Sequence, residues 1–138
     1  MARRRRTGPE VLEAGPLTVV PSERLARAGG RTLMLSIREL ELLTELARRP
    51  DRILAREELF ELVWGGEMPA RTRSVDVYVR KLRVKLAAAV PGWTFIHTHF
   101  RLGYRLAPVP VDDASAPGRS RARSASAARG GAAANGRG

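Results

Sequence analysis

Arg73, Val77, Arg80 and Val84 recur at a spacing that puts them near one pole of a helix, with Asp76 and Arg83 flanking on one side and Lys81 on the other. Cations interleaved with short aliphatics are an odd choice for a face that meets only water. Their chemistry suits a major groove. Arg and Lys can donate to guanine edges or phosphates, Val77 and Val84 can touch thymine methyls, and Asp76 can accept from a cytosine amino group. Asp76 has a second reading of equal weight, because an acid in the first helical turn also complements the helix dipole. The plain alternative for the whole face is a solvated charge run, which the charge distribution described below argues against.

A second group of residues follows at the HFRLG turn. Arg101 sits near its tip, suited either to insertion into an adjacent minor groove or to contact with backbone phosphates. Tyr104 can donate its hydroxyl to a phosphate while its ring packs inward, or it can be a core or edge aromatic, as can Trp93. His97 and His99 alternate, so on a strand they share a face as a metal pair would. With no cysteine and no acid close in sequence, polar edge residues or phosphate donors are the better reading, and no metal or other cofactor is expected. There is no glycine-rich phosphate loop, no H-E-x-x-H and no G-x-S-x-G elbow. Glu57 and Glu58 are explained by a helix N-terminus, so the expectation is a binding protein and not an enzyme.

The elements that must position these residues are legible in outline. The spacing predicts short strands over 17–21, 23–30 and 31–36, the last two joined by a tight Gly29-Gly30 turn. Ser36 and Glu39 form an S-x-x-E capping box, with Leu35 and Leu40 as a hydrophobic staple, at the start of a first helix. Ile37, Leu40, Leu43, Leu46 and Ala47 follow as its inward face, Arg48-Arg49 close it and Pro50 stops it. A shorter helix is predicted over 56–63 with Leu59, Leu62 and Val63 facing in, ended by Trp64-Gly65-Gly66. The third helix is expected over 72–89, with Val75, Val79, Leu82 and Leu86 as its core stripe and Tyr78 at the edge, closed by Pro91-Gly92. Strands over 94–98 and 103–106 make a closing hairpin.

The chain has 138 residues, no cysteine and a formal net charge of +11. That length allows one domain with a modest core of Leu, Val and Ile. Disulfides and thiolate metal sites are excluded, and no apolar run is long enough to span a bilayer. The basic start has no apolar stretch after it, so it is no secretory signal, and a cytoplasmic, nucleoid-associated protein is expected. The position of the charge is more telling than its total. Residues 1–8 carry four Arg and no acid, and residues 9–70 carry eight Arg against eleven acids. Residues 71–107 carry six Arg and two Lys against Asp76 alone, and residues 108–138 carry five Arg against Asp112 and Asp113. An acidic first half and a strongly basic second half point to a polyanionic partner. Residues 1–9 read as a disordered basic arm, 10–107 as the folded domain and 108–138 as a disordered tail too poor in large apolar residues to repay ordering.

The segments LSIRELELLTELARRPDRILAREELFELVWG (35–65), RSVDVYVRKLRVKL (73–86) and GYRL (103–106) resemble the OmpR/PhoB-type winged helix-turn-helix effector domain of bacterial response regulators. The resemblance spans about residues 15–107. It implies an α+β fold with an N-terminal antiparallel sheet, three helices and a C-terminal β-hairpin wing. It also implies duplex-DNA binding, transcription regulation and membership of phosphorelay signalling systems. By the same resemblance, Arg80, Lys81 and the outer face of the third helix meet the major groove. Trp64, Arg73, Tyr78, Arg83 and Tyr104 match phosphate-contacting positions, and the loop 65–71 matches a segment facing RNA polymerase. The wing departs from the family pattern T-V-R-G-x-G-Y, reading Thr98-His99-Phe100-Arg101-Leu102-Gly103-Tyr104, so Phe100 stands where the minor-groove arginine is usual. Either Arg101 substitutes one residue along, or Phe100 wedges or stacks. The expectation is a sequence-specific regulator lacking a receiver domain, with a head-to-tail dimer on DNA as one assembly. The alternative is a non-specific nucleoid- or RNA-associated module driven by basic tails.

Overall fold

The computed structural model describes residues 9–111. Residues 1–8 of the expected N-terminal arm and 112–138 of the expected C-terminal tail lie outside these residues. A four-stranded antiparallel sheet comes first, in the order β1 (Leu12–Ala14), β2 (Leu17–Val20), β3 (Leu25–Ala28) and β4 (Arg31–Thr32). Leu17, Val19, Ala26 and Ala28 turn their side chains from this sheet into the core. Pro21 starts a short 3₁₀ turn, which ends β2 one residue before the expected strand end. The β3–β4 connection pairs Ala28 with Arg31. Gly29 and Gly30 between them both have positive φ (59° and 79°), the two-residue turn expected there. A side chain on Gly29 would also collide with Val90.

Helix α1 (Ile37–Ala47) begins at the anticipated box: Ser36 Oγ accepts from the Glu39 N–H and the Glu39 carboxylate accepts from the Ser36 N–H. Its buried side runs through Glu39, Leu42, Leu43, Leu46 and Ala47. Ile37, expected in the core, is 62% exposed, and Leu42 is buried in addition. The reason is that α1 packs against β1 and both other helices, which shifts and widens its apolar stripe. Helix α2 (Arg56–Val63) starts without a side-chain cap at Ala55. Leu59, Phe60 and Val63 face in, whereas Leu62, expected inside, is 38% exposed and Phe60 takes the core position. Helix α3 spans Ser74–Ala89, two residues shorter than expected at its start. Thr72 Oγ1 accepts from the Ser74 N–H and thereby sits outside the helix.

The second sheet has the order β5-β7-β6, built from β5 (Ile53–Leu54), β6 (Trp93–His99) and β7 (Gly103–Pro110). Strand β5, like β1, lacks any pattern that sequence reading detects, and β7 runs four residues beyond the expected strand. Ile53 pairs with Arg105 and Leu54 with Tyr104, which ties the hairpin to the segment before α2. The described residues divide into two compact units, residues 9–90 with 94–108, and residues 91–93 with 109–111. In the second unit, the Val111 N–H donates to the Gly92 carbonyl.

Candidate nucleic-acid interface

Helix α3 separates two surfaces cleanly. Val75, Val79, Leu82 and Leu86 are at most 2% exposed, the full core stripe read from the sequence. Arg73, Val77, Arg80, Lys81 and Val84 are all exposed on the other side. The buried stripe locks the rotation of the helix, so the cationic face must point outward. Val77 and Val84 stand among these cations at 43% and 64% exposure. Lys81 Nζ lies 4.8 Å from the centroid of the Tyr78 ring, a cation–π contact that leans it along the helix surface. Tyr78 meets Trp64 edge-on at 5.5 Å, and Trp64 stacks on Phe60 at 5.2 Å with the Arg38 guanidinium over its ring. Trp64 is half-buried and links the end of α2 to α3 through these rings.

The other residues singled out from the sequence have partners inside the molecule. Asp76 accepts a hydrogen bond from the Tyr104 hydroxyl at 2.5 Å and pairs with Arg56 at 3.3 Å. This carboxylate, read from the sequence either as a cytosine acceptor or as a complement to the helix dipole, bonds within the chain itself. The Tyr104 hydroxyl, read from the sequence either as a phosphate donor or as part of a core or edge aromatic, gives its single proton to Asp76. Burial, that hydrogen bond and the Asp76 charge push the Tyr104 hydroxyl up to about 12, so it stays a neutral donor near neutral pH. Arg83 is half-buried and forks onto β6: Nε and Nη2 donate to the Ile96 carbonyl at 3.1 and 2.9 Å, and Nη2 donates to Thr98 Oγ1 at 2.6 Å. Its guanidinium also lies 5.7 Å from the Tyr104 ring centroid. Asp76, Arg83, Thr98 and Tyr104 thus form a strut that holds the hairpin against α3.

The histidines have separate partners. His97 Nε2 contacts the Ala107 carbonyl at 2.8 Å, and His99 Nε2 accepts from Arg105 Nε at 2.9 Å. Arg105 also pairs with Asp51. Among the described residues no group of three or more potential ligands surrounds a metal position.

The tip of the hairpin is solvated. Phe100 is 81% and Leu102 61% exposed, and Arg101 between them adopts a left-handed backbone with φ 67°. The Leu102 N–H donates to the His99 carbonyl and closes the turn. The Arg101 guanidinium lies 5.2 Å from the Phe100 ring centroid. Gly103 follows with φ 143°, where a Cβ would collide with the Leu54 carbonyl. Sequence reading missed this close approach; the only available signal was a glycine directly after an apolar turn.

Two contributions to the site lie behind it and were also missed. Lys85, on α3, donates to the Met34 carbonyl and to the Glu39 carboxylate at 2.7 and 2.6 Å. Burial pushes the Glu39 carboxyl up, but the hydrogen bonds from Lys85 and Ser36 and the charges of Lys85 and Lys81 outweigh it and hold it below its ordinary value. Arg56 is the other contribution, through Asp76. Glu57, Glu61 and Glu67 line a depression with Gly66 and Met68.

Comparison with known proteins agrees with this arrangement. Residues 30–106 match the family described as transcriptional regulatory protein, C terminal. The sensory transduction protein RegX3 of Mycobacterium tuberculosis is 34% identical over 96 residues, which cover 70% of this chain and 42% of RegX3. The transcriptional regulatory protein PrrA of the same organism is 40% identical over 97 residues, covering 70% of this chain and 41% of PrrA. The chain therefore spans less than half the length of these curated relatives. The DNA-binding domain of RstA from Klebsiella pneumoniae, solved in complex with the RstA box, superposes with a TM-score of 0.64 at 32% identity. That match covers 71% of this chain and 97% of the RstA domain. With the sheet order, the three helices, the closing hairpin and the exposed cationic helix all in place, the chain belongs to the C-terminal transcriptional regulatory family, the OmpR/PhoB-type winged-helix DNA-binding domains.

Proposed function

We propose that this chain is the sequence-reading part of a transcriptional regulator, binding duplex DNA by laying the outer face of α3 into a major groove. One observation carries the reading: Arg73, Val77, Arg80, Lys81 and Val84 share an exposed face whose orientation is imposed by a fully buried stripe opposite. Cations beside small aliphatics match the donors and methyl contacts that base edges and thymines require. The similar RstA DNA-binding domain, solved in complex with the RstA box, supports DNA as the partner. Arg80 and Lys81 are the base-reading candidates, Arg73 and Arg101 bind phosphates, and the strut of Asp76, Arg83, Thr98 and Tyr104 orients the wing. Trp64 and Tyr78 support α3 from its flank and border the phosphate path. The protein acts as a binder and not as an enzyme, at the nucleoid.

The loop 65–71, with the acidic depression beside it, is proposed to face RNA polymerase, and the unequal charge of the two halves supports head-to-tail apposition of copies on DNA. A binding-site selection on random duplexes tests the central claim. Wild type is expected to enrich one motif. Lys81→Ala or Arg80→Ala is expected to cost about 1–3 kcal/mol and to relax preference at one position. Equal weakening on every sequence would reassign both residues to phosphates, and no complex at low salt would overturn the proposal.

A further inference from the structure

We infer that the wing tip is an apolar wedge: Phe100, backed by Leu102, enters the minor groove beside the α3 site and partly unstacks a base step, bending the duplex. This rests on the docking proposed above and adds to it a second reading element of a different chemistry. Phe100 and Leu102 are 81% and 61% exposed at the end of a hairpin, on either side of a cation. Isolated exposed apolar residues are ordinary on protein surfaces. A Phe-Arg-Leu tip presented on a braced hairpin is a different arrangement.

Four features make the tip a lever able to bear load. The Leu102–His99 hydrogen bond closes the turn, and Gly103 lets the strand after it pass directly against Leu54. The Arg83 fork and the Tyr104–Asp76 bond then fasten both hairpin strands to α3. Whatever seats α3 therefore fixes the direction of Phe100. The surroundings name the occupant. Arg101 lies against the Phe100 ring, and the α3 cation Arg83 bonds to the hairpin at Ile96 and Thr98, so the tip is an apolar point in a cationic setting. Duplex DNA, with an anionic backbone around an apolar stack, complements that pattern, and apolar side chains in minor grooves act as such wedges. The apolar tip reads how easily a step opens, so its preference falls on flexible pyrimidine–purine steps and not on a hydrogen-bonding pattern.

The experiment uses the full chain and the duplex enriched in the selection, with 2-aminopurine placed at successive steps flanking the α3 motif and a fluorophore pair at the ends. Wild type is expected to raise 2-aminopurine emission at one flanking step and to bend the duplex by about 20–90°. Phe100→Ala is expected to abolish both signals and weaken binding about tenfold, while keeping the motif preference set by α3. Phe100→Leu, still an apolar wedge, should retain much of both. Because the side chain is solvated, unchanged thermal unfolding of Phe100→Ala checks that the fold is intact. A straight, fully stacked complex, or signals indifferent to Phe100→Ala, overturns this inference alone. No complex with any duplex overturns the docking reading itself, and the wedge with it.

Discussion

The side chains on α3 divide into those that face outward and those that hold the scaffold, and Lys85 shows how strongly the second group acts. It donates to Glu39, a carboxylate only 3% exposed that also caps α1. Because the Glu39 carboxyl is held below its ordinary value, the stability it contributes is complete above about pH 4.5 and is lost as pH falls through the lowered folded value. Lys85→Met leaves the burial and removes the cation, so Glu39 takes up its proton at higher pH. The variant is expected to lose about 1–2 kcal/mol at neutral pH, since Lys85 itself is partly solvated, and to begin acid unfolding at higher pH than wild type. Denaturant melts across pH 3–7 measure both; an acid limb at or below that of wild type would refute the assignment.

Among the elements, the hairpin is the one whose position most needs explaining. It is held by the Arg83 fork from α3, by the Tyr104–Asp76 bond and by pairing of β7 with the two-residue β5. The last of these depends on Gly103, because any Cβ there would strike the Leu54 carbonyl and the backbone lies at positive φ. Gly103→Ala is expected to destabilise the domain by about 3 kcal/mol, combining left-region strain with a backbone collision. Thermal unfolding reads the loss. Hydrogen exchange should show it concentrated in β5 and β7, whereas a variant as stable as wild type would mean that the two strands part without consequence.

For the molecule as a whole, the segregation of charge sets how binding responds to salt. If Arg73 and Arg101 each neutralise a phosphate, the slope of log K against log salt is roughly −1.8 from these residues, at about −0.9 per contact. The cations outside residues 9–111 add to that slope without adding preference. A chain trimmed to residues 9–111, which keeps β7 to its end at Pro110, is expected to show a shallower slope and the same selected motif. Titrations of both forms from low to physiological salt make the comparison, and loss of motif preference on trimming would favour a non-specific module driven by its basic ends.

The sequence by itself determined the two faces of α3, the cap of α1, the Gly29-Gly30 turn and the split between an acidic and a basic half. Each of these is written in spacing or composition over a few consecutive residues, where helical period and turn chemistry act locally. Tertiary structure alone decided the partners of Asp76, Arg83, Thr98 and Tyr104, which bond across 15 and 28 positions of sequence and brace the hairpin against α3. It also decided β1 and β5, strands of three and two residues too short to carry a period of their own. The exchange of Leu62 for Phe60 in the core was settled the same way, by what α2 packs against. A side chain's type limits what it can bond, but only the neighbour supplied by the fold determines which bond it makes.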